Sequence, residues 1–98
     1  MQKIRIGPIA YKVVMVKELA ADVGMLHGDI RYDKCRIRLC ADDDPQLRYV
    51  TLWHEAIHGI LHAAGIEDHD EPMIVALSYG IAQIIKDNPQ LIAAVAQE

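Results

Sequence analysis

The sequence predicts an α+β fold, in which a small antiparallel sheet of three or four strands from the N-terminal half packs against helices from the C-terminal half. Two observations carry this prediction. Before the acidic run Asp42-Asp43-Asp44, apolar and polar residues alternate as they do in half-buried strands. After Pro45, apolar residues recur every three or four positions, as on one face of a helix. Because the chain has 98 residues, we expect a single domain over residues 1–98.

A first hairpin is expected at the N-terminus. Residues 3–6 and 10–16 are rich in Ile, Val and Tyr, and Gly7-Pro8 between them is typical of a turn. The segment 18–23 that follows fits either a linker or one helical turn.

A second hairpin is expected over residues 27–32 and 35–40, joined by the two-residue link Asp33-Lys34. Cys35 and Cys40 lie five positions apart in its second strand, so their side chains should point to opposite faces. We therefore expect reduced cysteines that pack against neighbours, and neither a disulfide nor a thiolate zinc site.

The first long helix is expected to begin at Asp44 and Pro45. An aspartate side chain caps free backbone N–H groups, and a proline at the first helical position loses no hydrogen bond. Gly65 is typical of a helix C-terminus and marks the expected end. The apolar stripe of this helix, which should face the sheet, comprises Leu47, Val50, His54, Ile57, Leu61 and Ala64.

A second helix is expected over residues 71–86, with Pro72 in its first turn. Asn88-Pro89 ends this helix, and residues 90–97 favour a short third one. The inner face of the second helix should carry Ile74, Leu77, Ser78, Ile81 and Ile85.

Charge and hydropathy exclude two classes of function. The net charge is −4 and the pI is about 5.6, opposite to the basic surface of a nucleic-acid-binding protein. The apolar runs are far shorter than the ~18 residues of a membrane span, and no signal-peptide pattern is present. We expect a cytoplasmic protein that binds neither nucleic acid directly nor membranes, and its oligomeric state stays open.

The pattern His54-Glu55-Ala56-Ile57-His58 lies in the middle of the first long helix. Histidines at positions i and i+4 share one helix face, so both imidazoles can bind a single zinc ion. Glu55 is held next to the ion without binding it, where it can take a proton from the attacking water. The pattern predicts a zinc site with Glu55 as general base.

A third protein ligand is needed for a catalytic zinc site. His62 lies about 12 Å along the helix axis from His54, too far for one ion, so a packing or rim role is expected for it. We favour Glu71, because a carboxylate in the first turn of the next helix has a fixed backbone and the two helices should pack together. His69 or Asp70 takes this place if the loop folds inward.

Residues 51–62, Asp70-Glu71-Pro72 and Lys86-Asp87-Asn88 together resemble the ImmA/IrrE group of zinc metallo-endopeptidases, in the short form encoded by phages and mobile elements. The resemblance is strong over residues 47–88 and extends only to the pattern over residues 1–43. It implies a minimal zincin, in which a small antiparallel sheet covers the zinc helix and Zn²⁺ is the cofactor. It further implies His54 and His58 as metal ligands, Glu55 as general base, and a glutamate on the following helix as third ligand.

Better-studied members of this family cleave helix-turn-helix repressors, so the resemblance implies a protein substrate and names such a repressor as a candidate. The leading hypothesis is a zinc-dependent endopeptidase in which an exposed strand edge aligns the substrate. Tyr49, Tyr79 and His62 are candidates to assist the oxyanion, although packing is the simpler role for each. The alternatives are a non-catalytic zinc-stabilised module that binds a partner protein, and a structural α+β protein without metal.

Overall fold

Four strands precede three helices in the part of the chain that the computed structural model describes, residues 2–17, 19 and 27–98. Apart from Leu19, the expected linker or helical turn over residues 18–23 lies outside these described residues. The elements are β1 (Gln2–Ile6), β2 (Ile9–Val16), β3 (Gly28–Arg31), β4 (Arg36–Cys40), α1 (Pro45–Ala63), α2 (Glu71–Asp87) and α3 (Pro89–Ala96). The sheet packs against α1, which confirms the predicted α+β fold.

The sheet has the order β1-β2-β4-β3 and is mixed. Both predicted hairpins form: β1 pairs with β2 and β3 pairs with β4, each antiparallel. The expectation of a wholly antiparallel sheet is wrong, because β2 and β4 run parallel, with Val13 beside Ile37 and Met15 beside Leu39. Residues 37 and 39 are almost fully buried, so β4 takes a central position and leaves the short strand β3 at the edge.

The turn between β3 and β4 lacks the glycine that tight hairpins favour. Cys35 takes its place with a φ of 53°, and its backbone N–H donates to the Tyr32 carbonyl at 3.3 Å. Cys35 and Cys40 are both free thiols, as expected.

Helix α1 begins where the sequence predicts. The Asp44 carboxylate accepts a hydrogen bond from the backbone N–H of Gln46 at 2.8 Å. The helix ends at Ala63, two residues before Gly65, which has a φ of 77°. The backbone N–H of Ile66 donates to the Leu61 carbonyl at 2.9 Å, which closes the helix end in a Schellman-type arrangement.

The face of α1 that packs on the sheet differs from the predicted stripe. Its buried residues are Thr51, Glu55, Ala56, Ile57 and Gly59. A Cβ atom on Gly59 would lie 2.8 Å from Ile6 Cδ1 and 3.1 Å from Ile30 Cδ1, so helix and sheet approach closely there and these side-chain ends would have to move for a larger residue. The prediction erred because hydrophobic periodicity gives little weight to the small residues that permit this approach. Of the predicted stripe, Ile57 is buried, whereas Ala64 is exposed.

Helix α2 packs against α1 and buries Ile74, Ser78 and Ala82. Ile81 and Ile85 are half-buried as expected, but Leu77 is 45% exposed, so its assignment to the inner face is wrong. None of the described helices is long and apolar enough to cross a membrane.

Candidate metal centre

Three side chains that the sequence singled out meet where α1 and α2 pack together: His54, His58 and Glu71, here called the donor triad. His54 Nε2 lies 3.2 Å from Glu71 Oε2, and His58 Nε2 lies 2.9 Å from Glu71 Oε1. One donor atom from each residue lies within 4.8 Å of the other two. In a tetrahedral zinc site with bonds of about 2.05 Å, ligand atoms are about 3.3 Å apart. The donor triad can therefore hold one metal ion.

The two helices position the triad through ordinary backbone geometry. His54 and His58 are one helical turn apart on α1, and their ring centroids are 5.1 Å apart. Glu71 is the first residue of α2, whose start is fixed because the Asp70 carboxylate accepts the backbone N–H of Met73 at 3.3 Å. A helix start thus delivers the third donor to the histidines.

The two alternatives to Glu71 have other partners. Asp70 caps α2 through its carboxylate. His69 reaches the site region, but its Nδ1 lies 2.6 Å from Nδ1 of His58, the ring nitrogen opposite the one that faces Glu71. Among the described residues, the structure thus groups Glu71, and neither Asp70 nor His69, with His54 and His58.

Glu55 is buried, with 8% of its surface exposed, and lines the same cavity as the donor triad. Burial raises the pKa of Glu55 from its usual 4.5 to about 7, and the negative charges of Asp29 and Glu71 act in the same direction. A carboxyl group with a pKa near neutrality can both accept and release a proton at physiological pH. Burial likewise lowers the pKa of His58, against the opposing effect of Glu71, and favours the neutral imidazole that metals bind.

A cavity of about 560 Å³ opens in front of the triad between the edge strand β3 and the two helices. Beyond the triad and Glu55, it is lined by His27, Gly28, Asp29, Ile30, Tyr32, Leu47, Val50, Thr51, Val75, Ser78 and Tyr79. Outside the donor triad and Glu55, the helices contribute the aliphatic residues Leu47, Val50 and Val75 to this lining.

Of the residues suggested as oxyanion partners, Tyr79 is among those that line this cavity, whereas Tyr49 and His62 lie against other surface pockets. His62 stacks on Tyr32 with ring centroids 3.8 Å apart, which is the packing role expected for it. Tyr32 was not predicted from the sequence, yet it lines the cavity and its hydroxyl donates to the His58 carbonyl at 3.4 Å. No local spacing links Tyr32 to the motif on α1, because Tyr32 precedes His54 by 22 residues in the sequence.

The strand wall of the cavity is stabilised by an ion pair. Arg38 Nε donates to Asp29 Oδ1 at 2.8 Å across the β3–β4 pair. This hydrogen bond and a second one from Arg38 to Asp29 Oδ2 hold the pKa of Asp29 below its usual value, despite partial burial. Asp29 therefore stays charged beside Glu55.

In comparisons with known proteins, no family model matches the sequence, and no significant match is found among curated proteins or solved structures. The resemblance to the ImmA/IrrE endopeptidases therefore stays a prediction from the motif residues.

Proposed function

We propose that the protein is a zinc-dependent endopeptidase of the HExxH type, which cleaves a protein substrate. The observation that carries this proposal is the convergence of His54, His58 and Glu71 from two helices on one point, with the buried carboxyl of Glu55 in the same cavity. The three donors would hold the ion and Glu55 would act as general base.

The donor set fits zinc. Two imidazole nitrogens and one carboxylate oxygen are the ligands of zinc peptidase sites, and three protein ligands leave one position open for water or substrate. A structural zinc site uses four protein ligands instead, and among the described residues the cluster contains three. A bound zinc ion lowers the pKa of a coordinated water to about 7 and polarises a substrate carbonyl.

The proton transfers of peptide hydrolysis can be assigned to residues of the protein. The Glu55 carboxylate accepts a proton from the attacking water and then donates it to the amine released from the peptide bond. Because Glu55 lines the same cavity as the donor triad, one carboxyl group can take up this proton and release it again. Tyr79 lies at the cavity wall, where its phenolic O–H can donate to the developing oxyanion.

The edge strand β3 provides a binding mode for the substrate. One side of β3 pairs with β4, and no described strand pairs with its other side. An extended peptide can add to such an edge through main-chain hydrogen bonds, and residues such as Val50 and Val75 would contact an apolar side chain next to the scissile bond. Helix-turn-helix repressors, which the family resemblance implies, are the first protein substrates to test, and they would place the activity in the cytoplasm.

Metal removal and replacement test this function. The protein is stripped with a chelator, and hydrolysis of a peptide library is followed by mass spectrometry before and after one equivalent of zinc is added. We expect one zinc per chain and cleavage only with zinc. The variant His54→Ala should lose both, whereas His62→Ala should keep zinc because His62 lies outside the donor triad. Wild-type protein that binds no zinc would contradict the proposal.

The alternative function is a non-catalytic, zinc-stabilised module that binds a partner protein. It is favoured by the exposed apolar side chains on α2 and α3, among them Met73 at 56% and Leu91 at 63% exposure. One zinc per chain together with no cleavage of the library or of candidate repressors would support this alternative over the peptidase.

A further inference from the structure

A histidine outside the donor triad contacts the back of His58. The Nε2 atom of His58 faces Glu71 at 2.9 Å, and its Nδ1 atom lies 2.6 Å from Nδ1 of His69. The two rings are 4.9 Å apart at their centroids and tilted by 28°. His69 thus occupies the position behind the ligand ring that a carboxylate or carbonyl fills in many metal sites.

The partners of His69 determine which nitrogen carries its proton. His69 Nε2 lies 2.8 Å from the Ile66 carbonyl oxygen, which can only accept a hydrogen bond. In a neutral His69, Nε2 therefore donates and Nδ1 holds a lone pair. The contact with His58 then requires His58 Nδ1 to donate, which leaves the lone pair of His58 Nε2 directed toward Glu71 and available to a metal.

The series of hydrogen bonds from His58 through His69 to Ile66 leads back to α1, the helix that carries His58. Ile66 is fixed because its backbone N–H donates to the Leu61 carbonyl at 2.9 Å, in the closure of the C-terminus of α1. His69, placed by Ile66, therefore sets the orientation of the His58 ring relative to its own helix. An arrangement anchored at both ends restricts the ring more than a contact with a free side chain would.

We propose that His69 is a positioning residue, which fixes the ring orientation and tautomer of His58 for metal binding without binding the metal itself. This inference rests on the proposed metal site but is independent of catalysis. Loss of such a partner typically weakens metal binding about 10- to 100-fold.

The proposal is tested by the affinity for zinc, measured by competition with a chromogenic chelator. No peptide substrate is needed. We expect His69→Ala to weaken binding about 10- to 100-fold. His69→Asn should weaken it less, because the side-chain oxygen of asparagine can accept from His58 Nδ1 in place of the imidazole nitrogen. The control Asp68→Asn changes an exposed residue of the same loop and should leave affinity unchanged. Circular dichroism of the metal-free variants checks that the fold is retained.

Nitrogen-15 NMR of the zinc-loaded wild-type protein provides a second measurement. We expect His58 to carry its proton on Nδ1 and His69 on Nε2. The proposal is overturned if His69→Ala binds zinc as tightly as wild type, if asparagine restores nothing relative to alanine, or if His69 itself coordinates zinc. Zinc binding without peptide cleavage would count only against the endopeptidase, whereas a wild-type chain that binds no zinc would reject both proposals.

Discussion

Replacement of Glu55 by glutamine should stabilise the metal-free protein at high pH. The pKa of Glu55 rises from 4.5 to about 7 on folding, mainly because the charged form loses its hydration. Below pH 4.5 the side chain is protonated in both the folded and unfolded states, so its ionisation does not lower the free energy of unfolding. Between pH 4.5 and 7 the unfolded state releases the proton that the fold retains, so stability falls as pH rises and stays low above pH 7.

The size of this effect follows from the same pKa difference. Since one pKa unit corresponds to about 1.4 kcal/mol, the charged Glu55 costs the fold up to about 3 kcal/mol at pH 8. That is a large share of the 5–15 kcal/mol typical of a small domain. Glu55→Gln removes the charge, so its free energy of unfolding should exceed that of wild type by up to about 3 kcal/mol at pH 8, and this advantage should vanish near pH 4.

Urea unfolding in the presence of a chelator measures this difference, with the fluorescence of Trp53, the single tryptophan, as the probe. The control Glu67→Gln removes an equal charge from an exposed position and should change stability by less than about 0.5 kcal/mol at every pH. A Glu55→Gln protein that is less stable than wild type at pH 8, or a difference that does not depend on pH, would show that burial does not penalise the charged Glu55 side chain.

Three further predictions concern the metal, the helix–sheet contact and the strand wall. Glu71→Gln should weaken zinc binding by at least about 100-fold in a chelator competition. The melting temperature of the metal-free protein should not change, because the Glu71 side chain is 58% exposed. Zinc binding at wild-type strength would show that Glu71 is not a ligand. In urea unfolding, Gly59→Ala should gain less than the ~1 kcal/mol expected for an unhindered glycine-to-alanine change in a helix, because Ile6 Cδ1, 2.8 Å from the added Cβ, must move. The matched change Gly80→Ala has open space and should stabilise α2 by about 0.5–1 kcal/mol, so equal effects would argue against the close contact. Asp29→Asn should cost about 1–3 kcal/mol at pH 7, because its charged hydrogen bonds to Arg38 are lost. Since the pKa of Asp29 is lowered, this stabilisation exists above the ordinary aspartate pKa and is lost as pH falls through the folded-state value, so the two unfolding curves should converge in acid.

Local signals in the sequence are sufficient to predict the helices, the two hairpins and the three side chains of the donor triad. Asp44 and Pro45 mark a helix start through short-range hydrogen bonding, and the structure places that start as predicted. His54 and His58 share a face because four residues make about one helical turn. A second helix that packs on the first brings a carboxylate at its start toward the histidines, and the structure places that of Glu71 beside both.

The remaining features depend on contacts between distant segments. Alternation in residues 35–40 shows which side chains point inward, but not that β4 would lie parallel to β2. The apolar periodicity of the sequence does not mark Gly59, although the absence of a side chain there allows α1 to approach the sheet. The positions of Tyr32 and His69 likewise follow from the folded chain, since neither has a fixed spacing from the motif that would mark it as a neighbour of His58.

In the proposed function, zinc bound by the donor triad and the carboxyl of Glu55 would together hydrolyse a peptide bond. The most direct measurement compares zinc-loaded wild type with zinc-loaded Glu55→Gln on one peptide library, with the metal content of both determined beforehand. We predict one zinc per chain in both proteins, cleavage by wild type, and no cleavage by the variant. Cleavage by the variant at the wild-type rate, or none by zinc-loaded wild type, would contradict the proposed function.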